Sequence, residues 1–127
     1  MSNPLRALVI DDSRAVRLLI GNILRELGIE VVEAANGREG LDRLYSTVDV
    51  DMILVDWNMP VMDGLEFVTA VRSQRIYDPI QILMVTTEAE SEKVMQALAA
   101  GVNEYVMKPF TKEVLVAKLG MLNMFEE

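Results

Sequence analysis

The chain has 127 residues, of which 51% are hydrophobic and 25% are charged, and its formal net charge is −8. This length and composition predict one globular domain, 1–127, that is large enough to bury a core. Because histidine and cysteine are absent, the chain has no disulfide, no imidazole or thiolate metal ligand and no Ser-His or Cys-His nucleophile. The negative charge argues against nucleic acid as a partner, because phosphate binding requires a basic surface.

Targeting signals are also missing from the sequence. No apolar run approaches the roughly 20 residues that a membrane-spanning helix requires. The first residues, Met-Ser-Asn-Pro-Leu-Arg, lack the basic and apolar segments of a signal peptide. The sequence therefore predicts a cytoplasmic protein without membrane insertion.

Strand-like and helix-like segments alternate along the first half of the chain. A strand is predicted over 6–11, and a helix over 14–27 begins after Ser13 as its N-cap. The apolar stripe of that helix consists of Val16, Leu19 or Ile20, Ile23 and Leu27. A second strand over 29–34 precedes a helix that Asn36 caps and that extends to about Tyr45.

The alternation continues in the second half of the chain. The third strand, 51–56, contains an unbroken apolar run, which is typical of a parallel strand buried on both faces. After Asp63-Gly64 a helix is predicted to about Gln74, and the fourth strand occupies 79–86. Buried methionines such as Met52 and Met84 are expected to fill the core.

The last two predicted helices flank a short fifth strand. Thr87 and Glu90 have the spacing of a capping box, so we expect the fourth helix to begin there and to end near Gly101. The fifth strand covers 104–107. Thr111 caps the last helix, whose buried face is predicted to carry Leu115, Leu119 and Leu122.

Five successive strand–helix units predict an α/β fold, with a doubly wound five-stranded parallel sheet and helices on both faces. In such sheets, ligands bind outside the carboxyl ends of the strands. Polar side chains follow four of the predicted strands at those ends. They are the pair Asp11-Asp12, Asp56, Thr86 and Lys108, and we expect them to meet in one pocket.

The chemistry of this pocket follows from its charges. Carboxylates that lie together resist ionising without a positive partner, so Asp11, Asp12 and Asp56 predict a divalent cation. Only oxygen ligands are available, which favours magnesium, manganese or calcium. An alternative reading of the first two acids is that they stabilise the N-terminus of the following helix.

Phosphate chemistry is compatible with the same residues. A carboxylate beside Mg²⁺, such as Asp56, can accept a phosphoryl group as a nucleophile. Lys108 is either a solvated charge or a contact for that group. Thr86 is either an ordinary strand residue or a hydroxyl donor to a phosphoryl oxygen.

Four segments together resemble the receiver domain of two-component response regulators. They are Val-Ile-Asp-Asp-Ser (9–13), Asp-Trp-Asn-Met-Pro-Val-Met-Asp-Gly (56–64), Met-Val-Thr (84–86) and Tyr-Val-Met-Lys-Pro-Phe (105–110). Trp57-Asn58, Thr86-Thr87-Glu88 and Tyr105 are most similar to single-domain chemotaxis regulators of the CheY type. The resemblance covers the whole chain. It implies the flavodoxin-like strand order 2-1-3-4-5 and a cis Lys108–Pro109 bond.

The resemblance also implies a role for each site residue. Asp56 would accept the phosphoryl group. Lys108 would contact that group, Thr86 would move towards it, and Tyr105 would turn inward and remodel the surface of the fourth helix, fifth strand and fifth helix. The cofactor would be Mg²⁺, held by Asp11, Asp12, Asp56 and the main-chain carbonyl of Asn58.

The partners are implied in the same way. A histidine kinase would be the phosphoryl donor, since the chain has no histidine of its own. The chain would catalyse only its own phosphorylation and dephosphorylation, and it would not be an enzyme with an external substrate. No output domain follows Glu127, so the output would be contact with a downstream protein. We also expect a monomer. The flagellar motor switch is one candidate, although Glu88, Glu90 and Glu92 replace the lysines usual in motor-binding regulators.

The sequence is also compatible with other functions. Within the family, the chain could be a phosphorelay intermediate or phosphate sink of another pathway. A Mg²⁺-dependent phosphatase with an aspartate nucleophile is less favoured, because Asn58 occupies the place of a second acid. A flavin-binding module is disfavoured because no Gly/Ser/Thr-rich loop follows the first strand. Met121 and Met124 could form an adaptable partner surface.

Overall fold

The computed structural model describes residues 4–122 of the chain. Its five strands are β1 (Arg6–Ile10), β2 (Glu30–Ala34), β3 (Met52–Val55), β4 (Gln81–Thr86) and β5 (Glu104–Met107). Its α-helices are α1 (Arg14–Glu26), α2 (Gly37–Ser46), α3 (Gly64–Arg72), α4 (Ser91–Ala100) and α5 (Lys112–Gly120). All neighbouring strands are parallel, in the order β2-β1-β3-β4-β5. The predicted fold class and strand order are confirmed.

Helices cover both faces of the sheet, as expected for strands without a polar side. All four residues of β3 are buried, and Met52 and Met84 are fully buried core residues. On one face, the sheet packs against α2, α3 and α4 around Phe67. On the other face, it packs against α1 and α5, where Leu115, Leu119 and Leu122 are buried as predicted.

The helix starts are mostly at the predicted residues, because their caps satisfy free main-chain N–H groups. Ser13 accepts from the N–H of Val16 at 3.2 Å, and Asn36 accepts from the N–H of Glu39 at 2.9 Å. Thr111 caps α5 through the N–H of Val114 at 3.1 Å. These caps place the first turns of α1 and α5 beside the carboxyl ends of β1 and β5.

Three local predictions differ from the structure. The capping box at Thr87 is wrong, because α4 begins at Ser91 with Glu90 as its N-cap and without a side-chain cap hydrogen bond. Leu27 is not on the buried stripe of α1; it is the exposed C-cap of that helix, and the buried position nearest to it is Leu24. A short 3-10 helix, Arg75–Tyr77, was not predicted.

Several remaining expectations concern single residues. The Lys108–Pro109 peptide bond is cis, as the resemblance implied. Met121 is exposed, whereas Met124 lies outside the described residues. Within residues 4–122, no helix combines the length and apolarity that crossing a membrane requires.

Candidate functional site

The carboxyl ends of the central strands bring the predicted acids together. Ile10 pairs with Val55 in the parallel register, so Asp11 and Asp56 follow at the same level of adjacent strands. One carboxylate oxygen each of Asp11, Asp12 and Asp56 lies within 4.8 Å of the others. The three acids predicted at the strand ends therefore lie together.

The Asp11 side chain is buried and both of its oxygens are hydrogen-bonded. Oδ1 accepts from the N–H of Ser13 at 2.9 Å, and Oδ2 accepts from Lys108 Nζ at 2.7 Å. The main-chain N–H of Asp11 donates to the carbonyl of Ala34 at 3.1 Å. These bonds hold this carboxylate in one orientation.

The Asp56 carboxylate is held in a similar way. Oδ1 accepts from the N–H of Trp57 at 2.7 Å, and Oδ2 accepts from Lys108 Nζ at 3.2 Å. The loop after Asp56 returns close to it, since the N–H of Gly64 donates to the carbonyl of Trp57 at 2.7 Å. A Cβ on Gly64 would lie 2.1 Å from the main-chain oxygen of Asp56, so only glycine fits there.

Lys108 forms ion pairs with both buried acids. Its side chain is 17% exposed. Burial lowers the pKa of Lys108, but its hydrogen bond to Asp11 and the charges of Asp11 and Asp56 outweigh burial, and the pKa is raised. The lysine is therefore a cation over the ordinary pH range, and it lies between two carboxylates rather than in solvent.

Asp12 differs from the other two acids. It is exposed, and its carboxylate has no hydrogen bond to another described residue, whereas Lys108 contacts Asp11 and Asp56. Lys108 thus contacts two of the three neighbouring carboxylates, and the charge of Asp12 has no side-chain partner among the described residues. Oxygen donors with uncompensated charge suit a hard divalent ion. The residues fit Mg²⁺, and the acidic cluster agrees with the predicted metal site.

Thr86 and Tyr105 are connected to the site through Glu88. Thr86 is fully buried, and its Oγ1 accepts from the N–H of Glu88 at 3.4 Å. The Tyr105 hydroxyl donates to the carbonyl of Glu88 at 2.8 Å. Burial, followed by the charges of Glu88 and Asp56, raises the pKa of Tyr105 to about 12. Tyr105 therefore remains a neutral hydrogen-bond donor.

Asn58 and Trp57 form the side of the site next to α4. The Asn58 side chain is exposed and donates through Nδ2 to Glu88 Oε2 at 2.7 Å. Trp57 is almost completely buried, and Lys93 Nζ lies 5.0 Å from its ring centroid, a distance typical of a cation–π contact. The predicted metal contact of the Asn58 carbonyl stays a prediction.

Sequence reasoning missed three contacts at the site, two of them given above; in the third, Arg17 Nη1 donates to the main-chain carbonyl of Asp11 at 2.6 Å. Glu88, Lys93 and Arg17 look like solvated charges in the sequence, yet each contacts a residue at the site. Arg17 alone offered a signal, because it lies one turn after the Ser13 cap and can reach back towards β1.

The doubly wound parallel sheet, with acids and a lysine at its carboxyl edge, is the arrangement that the resemblance to receiver domains implied. Residues 7–120 match the response regulator receiver domain, and the chain belongs to that family. The chemotaxis protein CheY homolog of Campylobacter jejuni is 47% identical over 116 residues, which cover 91% of this chain and 89% of that protein. Chemotaxis protein CheY1 of Helicobacter pylori is 46% identical, with 91% and 94% covered.

A solved structure agrees with these relatives. The chemotaxis response regulator CheY4 of Vibrio cholerae has a TM-score of 0.88 and 40% identity, and the match covers 94% of this chain and 99% of that one. The resemblance to receiver domains of the CheY type is therefore confirmed.

Proposed function

We propose that the chain is a Mg²⁺-dependent phosphoryl acceptor of two-component signalling, with Asp56 as the acceptor. The observation that carries this proposal is the position and hydrogen bonding of the Asp56 carboxylate. It lies at the end of a fully buried strand, in a cluster with Asp11 and Asp12, and Trp57 and Lys108 fix its orientation. A fixed nucleophile beside a cation site suits phosphoryl transfer, which depends mainly on positioning and charge neutralisation.

The proposed metal ligands are Asp11, Asp12, Asp56 and the main-chain carbonyl of Asn58. When bound there, Mg²⁺ supplies positive charge against the acids and the incoming phosphoryl oxygens. Lys108 supplies a second positive charge, and its raised pKa keeps it protonated.

The proposed donor is a phosphohistidine on a histidine kinase. An oxygen of Asp56 forms a bond to phosphorus while the phosphorus–nitrogen bond breaks, and the histidine leaves with the electron pair of that bond. Water later attacks the aspartyl phosphate and releases inorganic phosphate, which regenerates Asp56. The chain thus acts on itself and on no external substrate.

The proposed switch runs from Thr86 to Tyr105. If the Thr86 side chain moves so that its hydroxyl donates to a phosphoryl oxygen, its Oγ1 leaves the N–H of Glu88, from which it accepts at 3.4 Å. The carbonyl of Glu88 holds the Tyr105 hydroxyl, so movement of this residue reaches the surface of α4, β5 and α5. This surface is the proposed contact for a downstream protein.

Both curated relatives named above are chemotaxis proteins, and we propose that this chain acts in chemotaxis as a cytoplasmic monomer. The flagellar motor switch is one candidate target. The side chains near α4 are acidic, whereas motor-binding regulators usually carry lysines there. This difference favours a second candidate, a phosphorelay intermediate or phosphate sink. Glu90 and Glu92 form no ion pair with another described residue, whereas the four lysines of the chain contact Trp57, Asp11 with Asp56, Glu26 and Glu104.

The acceptor is tested by labelling with acetyl phosphate and Mg²⁺. Wild-type protein is expected to gain one phosphoryl group, and Asp56→Asn should gain none. Asp42→Asn, which changes an exposed aspartate of α2, should label normally. Labelling of Asp56→Asn at the wild-type level would refute the assignment, and steady phosphate release from an added phosphomonoester would favour the phosphatase instead.

Co-purification separates the two pathways. Protein phosphorylated at Asp56 is expected to retain motor components if it is a chemotaxis effector, and histidine phosphotransfer proteins if it is a relay or sink. Asp56→Asn serves as the unphosphorylated control in both assays.

A further inference from the structure

Arg17 contacts the acidic site through the main chain of Asp11, and the proposed function assigns Arg17 itself no role. It lies in the second turn of α1, and its side chain is 15% exposed. Nη1 donates to the main-chain carbonyl of Asp11 at 2.6 Å, and Nε donates to Glu33 Oε1 on β2 at 3.0 Å. One guanidinium therefore connects the end of β1 to the neighbouring edge strand.

The carbonyl that Arg17 holds belongs to the peptide joining Asp11 to Asp12. On the other side of Asp11, its N–H is bonded to the carbonyl of Ala34, and its carboxylate is bonded to Ser13 and Lys108. Asp12 has no such hydrogen bond from its side chain to a described residue. The direction of its carboxylate therefore depends on the two peptides that flank it: Arg17 holds the preceding one, and the bond from the Ser13 N–H to Asp11 Oδ1 holds the following one.

We infer that Arg17 is a positioning residue that aims Asp12 at the metal site. The inference rests on the proposed function, in which Asp12 is a Mg²⁺ ligand. Charge-assisted hydrogen bonds are the stronger ones, and the fork of a guanidinium can hold Asp11 and Glu33 at once. Residues that orient metal ligands typically change metal affinity about 10- to 100-fold when mutated.

A role for Arg17 through its charge and a role through positioning predict opposite effects of Arg17→Ala on Mg²⁺ affinity, so the inference can be tested. If Arg17 acted only through its positive charge, Arg17→Ala would reduce repulsion of the cation and tighten Mg²⁺ binding. If Arg17 positions Asp12, Arg17→Ala weakens Mg²⁺ binding by about 10-fold. Arg17→Lys retains the charge but lacks the fork, so positioning predicts weaker binding for it as well.

The experiment is a MgCl₂ titration that follows Trp57 fluorescence, because Trp57 adjoins Asp56. Arg25→Ala is the matched control: Arg25 is also on α1 and lies 3.8 Å from Glu33, but its side chain has no hydrogen bond to Asp11. Its Kd for Mg²⁺ should stay within about two-fold of wild type, since a remote exposed charge contributes little. The circular dichroism of each variant, recorded at the titration temperature, limits the comparison to folded protein.

The outcomes separate this inference from the proposed function. Weaker Mg²⁺ binding in Arg17→Ala and Arg17→Lys, with Arg25→Ala unchanged, supports positioning. A wild-type or tighter Kd in folded Arg17→Ala overturns it, while the metal site itself stands. If wild-type protein shows no saturable response to Mg²⁺, the proposed metal site fails, and the role of Arg17 fails with it.

Discussion

Val61 has a backbone conformation that does not suit its β-branched side chain. It lies in the loop between Asp56 and α3, it is 82% exposed, and its φ is 72°. A β-branched residue is disfavoured in this left-handed region because its side chain crowds the main chain. The loop is fixed next to it, since the carbonyl of Met62 accepts from the N–H of Gly37 at 3.0 Å. The surroundings therefore impose this conformation on Val61.

Replacing Val61 should release that strain. Asparagine tolerates the left-handed region, so Val61→Asn is expected to raise the free energy of unfolding by about 1 kcal/mol. Urea denaturation measures this. Val48→Asn is the control, because Val48 is also highly exposed, at 73%, but is not among the residues with a positive φ, and it should change stability by less than about 0.5 kcal/mol. Equal effects of both substitutions would contradict the explanation.

Arg72 connects the end of α3 to the segments that precede β4 and β5. From the end of α3 its guanidinium donates to the carbonyls of Gly101, Tyr77 and Ile80 at 3.0, 3.0 and 2.7 Å. It also donates to Asn103 Oδ1 at 3.0 Å, and that oxygen accepts from the N–H of Ile82 at 2.7 Å. Burial lowers the pKa of Arg72, but the guanidinium stays charged.

A lysine cannot replace this set of donors. Arg72→Lys has three N–H groups on one atom, so several carbonyls at the amino edge of the sheet lose their partner. We expect the free energy of unfolding to fall by about 2 kcal/mol, measured by urea denaturation. Arg75→Lys, at an exposed position three residues later, should be nearly neutral. A neutral Arg72→Lys would show that water replaces the lost bonds.

The start of α4 shows how distant contacts override a local pattern. Thr87 and Glu90 match a capping box in sequence, yet residues 87–90 precede the helix. Glu88, within that segment, is bonded to Asn58, which is 30 positions earlier, and to Tyr105, which is 17 positions later. Contacts between residues so far apart leave no periodic signal.

The first turn of α4 therefore lacks a hydrogen bond from its N–H groups to an N-cap side chain. Glu90 has no cap hydrogen bond, and glutamate is a poor residue at this position, whereas aspartate is a good one. Glu90→Asp, which keeps the charge, is expected to raise the free energy of unfolding by about 1 kcal/mol. Glu92→Asp lies inside the helix and should be neutral or slightly destabilising. A thermal melt that ranks these variants the other way would contradict the assignment of Glu90 as N-cap.

At the scale of the whole molecule, the parallel sheet could be predicted from the sequence. The contacts that helix side chains make at its carboxyl edge could not. Met52–Val55 is apolar throughout, and only a strand covered on both faces suits such a run. Once five parallel strands are expected, Asp11, Asp56 and Lys108 must share an edge. The partners of Arg17 and Lys93 depend instead on how helices lie over that edge, which the sequence pattern does not encode.

The charge at this edge should make the stability of the whole protein depend on Mg²⁺. Net charge is −8, and Asp11, Asp12 and Asp56 lie together, so repulsion opposes folding until a cation binds. A ligand that binds only the folded state stabilises it by about 2.7 kcal/mol at 100 times its Kd. Urea denaturation in MgCl₂ should show this gain beyond that in NaCl of equal ionic strength, which only screens charge. Asp12→Asn should be more stable than wild type without Mg²⁺ and gain much less from it, whereas equal gains in both salts would exclude a specific site.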